Sequence, residues 1–81
     1  MKNCKIINRL KDAVNLALEN QWDGAHKIVQ MYEDDKVACW IHAILHKIEG
    51  DNENAKYWYQ RANMEWSNEN PVDELKHVKI R

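Results

Sequence analysis

His42, His46 and Glu49 are the residues of this 81-residue chain whose types and spacing best suit joint chemistry. At ~100° per residue they fall within about 60° of one another on a helix, apart from its apolar stripe. Two imidazoles four residues apart can ligate one metal ion from a single helix, and a carboxylate on that face can add a third ligand. His26, on the preceding helix, can approach across a hairpin interface. The set His26, His42, His46 and Glu49 would suit zinc or another divalent transition metal, or a His-based enzyme. The same spacing also serves plain packing, in which a histidine buries its ring and hydrogen-bonds a carboxylate such as Glu49. No helical His-Glu-x-x-His pattern accompanies the pair, so packing ranks ahead of metal binding.

Other reactive types lead nowhere so specific. Cys39 lies one helical turn from His42, but a Cys–His nucleophile needs an orienting third group and a substrate pocket; a buried structural thiol is expected. Cys4 is expected to be idle. Tyr57, Trp58 and Tyr59 with Arg61 suggest a base-stacking surface, yet consecutive helical residues point ~100° apart and make no flat platform. Trp58 and Tyr59 are expected in the core and Tyr57 on a flank or facing a partner. Lys2, Lys5, Arg9 and Lys11 read as a solvated basic face. Twelve basic against thirteen acidic residues give no field to hold nucleic acid. No apolar run reaches the ~18 to 20 residues that span a bilayer. No signal-length apolar core follows the charged start, so a cytoplasmic setting is expected. Two cysteines make neither a disulfide framework nor a four-cysteine zinc site. Gly-rich phosphate loops, Ser-centred elbows and paired catalytic carboxylates are absent from the sequence.

The elements that must position these residues are helices in a single domain. Gly24, Gly50 and Pro71 are the only breakers. Four stripes follow the i, i+3, i+4, i+7 rule: Ile6, Ile7, Leu10, Val14 and Ala17; Trp22, Ala25, Ile28, Val29 and Tyr32; Val37, Ile41, Ile44, Leu45 and Ile48; and Ala55, Trp58, Tyr59, Ala62 and Trp66. The fold class is all-α. Asp34 or Asp35 can cap the third helix, Gly50 closes it, and Asp51 or Asn52 caps the fourth. Asn70-Pro71 opens a short C-terminal helix over about 71–80 expected to cap the second hairpin, although His77–Arg81 also alternates as an extended end would. Leu, Ile, Val and Phe supply only 17 of 81 residues. Four Trp and three Tyr must then make up the apolar area. An aromatic core is expected, with Trp22, Trp58 and Tyr59 at packing positions and Trp40 on a flank.

An internal repeat organises the helices. At an offset of 30, Glu19, Ala25 and Gln30 coincide with Glu49, Ala55 and Gln60, and Val29 matches the apolar ring of Tyr59. Upstream, Ala13 matches Ala43, Leu18 matches Ile48 and Ile7 matches Val37. The chain therefore reads as two helix-turn-helix hairpins, about 4–33 and about 34–66. The second, from Trp40 to Ala62, resembles a tetratricopeptide repeat, with Ala43, Gly50, Ala55, Tyr59 and Ala62 in that motif's small, turn and aromatic slots. The first fits at Ala13, Ala25 and Val29, with Asn20 where the turn Gly would stand. The string His-Ala-x-Leu-His-x-x-Glu-Gly-Asp-x-x-Asn-Ala-x-Tyr-Trp-Tyr-x-Arg-Ala also resembles a family of small helical proteins, a likeness that brings no activity with it.

The repeat resemblance implies a non-catalytic protein-interaction module. Two hairpins make a short stack with open ends, so a protein or peptide partner, or a second copy in a homodimer, is expected. Trp40, His42, His46, Tyr57, Trp58 and Arg61 are the expected partner-binding residues, because aromatic and Arg side chains dominate interface energetics. The alternative is the metal-binding or His-based centre at His26, His42, His46 and Glu49.

Overall fold

Helix ends are set by local chemistry that the chain carries at each boundary. In a computed structural model, which describes residues 4–78, five helices follow in order: α1 (Cys4–Leu18), α2 (Trp22–Gln30), α3 (Lys36–Ile48), α4 (Asn52–Arg61) and α5 (Pro71–His77). No strand occurs among the described residues. Asp35 caps α3 by accepting from the Ala38 N–H, and Asp51 caps α4 by accepting from the Asn54 N–H. Asn70 accepts from the N–H groups of Val72 and Asp73, with Pro71 in the first turn of α5. Each cap satisfies donors that the first turn of a helix leaves without a partner.

Three helices end in the same way. Asn20, Gly50 and Asn63 take the left-handed conformation, with φ of 65°, 79° and 60°. After each, the next N–H returns to a carbonyl in the last turns of the helix: Gln21 to Leu16, Asp51 to His46, and Met64 to Tyr59. This closure needs a residue that tolerates positive φ, which Gly and Asn do best. Asn20 thus performs the turn role expected of a Gly. Asn63 also ends α4 at Arg61, earlier than the apolar stripe reaching Trp66 implied. Trp66 lies beyond the helix, edge-on to Tyr59 at 5.5 Å between ring centres. The tail helix stops at His77; the expected extension to position 80 and the alternating end run past residue 78, outside the described residues.

Short turns make α1/α2 and α3/α4 antiparallel hairpins, with α3 packed against all four other helices. The core is aliphatic and alanine-rich, which corrects the expected aromatic core. Leu10, Ile41, Ile44, Leu45, Val29 and Leu75 are buried together with alanines 13, 17, 25, 38, 43, 55 and 62. Small side chains let helix backbones approach closely, so less side-chain volume is needed to fill the space between them. Of the seven aromatics only Tyr59 is fully buried; Trp58 is half-buried, and Trp22, expected in the core, is 37% exposed.

A buried polar network fastens α5. Lys47 donates to Glu74 Oε1 at 2.7 Å, to the Tyr59 hydroxyl at 3.2 Å and to the carbonyls of Ser67 and Glu69. Glu74 Oε2 accepts from the Tyr59 hydroxyl at 2.6 Å and from the Trp40 indole at 2.8 Å. Burial, followed by this contact with Glu74, pushes the Tyr59 pKa up and keeps the phenol protonated. Removing one member of a buried ion pair leaves the other charged and unpaired, at a cost of about 3–5 kcal/mol. Glu74→Gln should therefore lower the unfolding free energy measured in urea by an amount in that range. Asp73→Asn, on the exposed side of α5, should cost less than about 1 kcal/mol in the same measurement.

Candidate metal centre

The docking of the two hairpins brings three histidines together. His42 and His46 stand one turn apart on α3, and His26 projects from α2 across the hairpin boundary. One ring nitrogen from each lies within 4.8 Å of the others. Ring centres are 4.6 Å apart for His26 and His42, 4.8 Å for His26 and His46, and 5.0 Å for His42 and His46. Zinc–nitrogen bonds of ~2.0–2.1 Å place tetrahedral ligand atoms about 3.4 Å apart, so closure of up to about 1.4 Å by side-chain rotation would bring the three onto one ion.

Carboxylates surround the cluster. Glu49 Oε2 lies 3.8 Å from His26 Nδ1, and its Oε1 lies 3.7 Å from His46 Nδ1. Asp51 Oδ2 is 3.7 Å from the same His46 atom, and Asp23 acts electrostatically on His26. None of these separations is a hydrogen bond, and among the described residues the buried Nδ1 atoms of His42 and His46 have no hydrogen-bond partner. Such groups each cost about 1–3 kcal/mol when left unsatisfied. His42 is 3% exposed, with its ring stacked on Trp58 at 3.9 Å. Burial, and then the neighbouring His26 and His46, push its pKa down to about 3. Burial and His46 also lower His26, against the opposing pull of Glu49 and Asp23. His42 and His26 are thus biased toward the neutral form that ligates a metal.

All four residues of the expected metal site are brought to one place. Five of the expected partner-binding residues stand together, His46 beside His42, His42 stacked on Trp58, and Tyr57 and Arg61 around the Trp58 ring, while Trp40 stands apart. Trp40 is half-buried and its indole N–H is committed to Glu74, because α5 covers the face of α3 from which it projects. His42 is shut in beneath Trp58 and cannot meet a partner. Tyr57 is 49% exposed. Arg61 reaches back to the Glu33 carbonyl at 3.0 Å and sits 5.3 Å from the Trp58 ring centre. Cys39 is buried, as expected, and its thiol donates to the Glu33 carbonyl at 3.1 Å. Sequence reasoning misses Asp23 and Asp51 as neighbours of the cluster. Asp23 stands three residues before His26, a spacing that shares one helix face, and that spacing is the signal that could have found it.

Compared with protein-family models, curated proteins and solved structures, the chain gives no significant match.

The depressed His42 pKa has a definite consequence for stability. The unfolded chain takes up this proton near 6.5, whereas the folded chain resists it down to about 3. Acid therefore favours unfolding. The stability this group contributes is fully present above the unfolded value and falls below it, by up to ~1.4 kcal/mol per pH unit. Urea denaturation at about pH 7 and about pH 5 should show this loss, and His42→Leu should reduce it.

Proposed function

We propose that this chain binds one divalent transition-metal ion, zinc foremost, through His26, His42 and His46, with Glu49 beside them. The observation that carries the reading is the convergence of three imidazoles from two hairpins, with one ring nitrogen of each within 4.8 Å of the others. Imidazole is a borderline donor that suits zinc and its transition-metal neighbours over calcium or magnesium. The surrounding carboxylates favour a cation there. An ion would bridge α2 and α3 and tie the hairpins together, so binding adds directly to folding stability. Isothermal titration with zinc at neutral pH should show one ion per chain. His26→Ala should weaken it beyond the about 10–100-fold that losing an outer partner of a ligand costs. His77→Ala, at an exposed histidine on α5, should leave it unchanged. Zinc at about a hundred times its Kd should add about 2.7 kcal/mol to the unfolding free energy. Absence of binding tighter than high micromolar would remove the proposal.

The second reading, a tetratricopeptide-like interaction module that pairs with its own copy, is supported by the exposed outer face of α4, where Arg61 lies 5.9 Å from the Tyr57 ring centre. It predicts a dimer by sedimentation at high micromolar concentration that Tyr57→Ala weakens; a strictly monomeric species sinks the homodimer.

A further inference from the structure

Resting on the tri-histidine reading, we infer that an ion held there keeps one coordination position open to solvent, where water exchanges for a small monodentate anion. The cluster has one closed wall and one open one. His42 is sealed under Trp58, whereas the side chains of His26 and His46 each remain 15% exposed. Those two rings line a shallow surface mouth with Asp23, Lys27 and Gln30.

Glu49 is placed to leave that side free. Its two oxygens are divided, one facing the Nδ1 of His46 and the other the Nδ1 of His26. A ligating carboxylate directs an oxygen at the ion. One oxygen for each of two rings is the arrangement by which an outer carboxylate accepts Nδ1–H from imidazoles that ligate through their other nitrogen. Closing each gap by roughly 0.8 Å makes that hydrogen bond and gives the buried Nδ1 of His46 the partner it lacks. Three protein ligands then remain, one fewer than a four-coordinate ion requires, which is the composition of sites that hold an exchangeable ligand.

The ion itself, and not the net negative protein charge around it, supplies the attraction for an anion at the remaining position. Three neutral imidazoles leave the double positive charge of the ion intact, and Glu49 offsets half of it. Asp51, 3.7 Å from His46 Nδ1, keeps its negative charge while accepting from the neutral Asn54 amide, and Asp23 and Lys27 both line the mouth.

Cobalt(II) and azide test this on the intact chain. Cobalt alone should produce visible d–d bands of an imidazole-bound ion, and azide should then shift them saturably. Glu49→Gln should bind cobalt about 10–100-fold more weakly and, once loaded, show the same bands and the same azide response. Bands that azide leaves unmoved would overturn the open position while the tri-histidine reading stands. An azide response that appears only in Glu49→Gln would overturn it too, because Glu49 would then be the fourth ligand. No cobalt bands at all would remove both readings.

Discussion

The carboxylate of Glu74 has to be matched on every side, because an ion buried in a protein interior is stable only when its lone pairs are engaged. The residues of this network come from three helices. Trp40 and Lys47 belong to α3, Tyr59 to α4, and Glu74 itself to α5. Satisfying that one group fixes how α5 lies on α3 and how α4 lies beside both. The Lys47 ammonium extends the same network into the segment between α4 and α5 by donating to two of its carbonyls. A short helix that would be unstable alone is thereby held in one register.

The same helix, α3, has two polar faces with opposite characters. On the side toward α5, both members of the buried ion pair have partners. On the side toward α2 and α4, two imidazole nitrogens have none. The two polar clusters of α3 thus differ in how fully their donors and acceptors are matched. The open cluster lies at the junction of the hairpins, where an added ligand would act on their mutual docking.

Helix boundaries are legible in the sequence because they rest on nearest-neighbour chemistry. Asp35, Asp51, Asn70 and Gly50 each act within a helical turn or so of their own position. The shared face of His42 and His46 follows from helical period alone. The approach of His26 is readable once the turns are, since the short connection from α2 to α3 keeps the two hairpins side by side. What escapes depends on distant partners. Nothing local marks Glu74 for burial, because it is a charged residue beside the exposed Asp73 and its partners lie 15 to 34 residues away. Trp22 is misplaced for a related reason: counting apolar types does not reveal that alanines fill much of the core. Asn63 ends α4 early through a conformation that its residue type permits but does not announce.

The two hairpins turn on left-handed residues at equivalent positions, Asn20 and Gly50, yet the histidines do not share that register. His26 corresponds to Lys56, and His42 and His46 correspond to Asp12 and Leu16. A duplication that copied the hairpin would reproduce the turn and not the cluster. Anything the histidines hold is therefore a property of the junction, with a stoichiometry of one for each chain regardless of how many hairpins are counted.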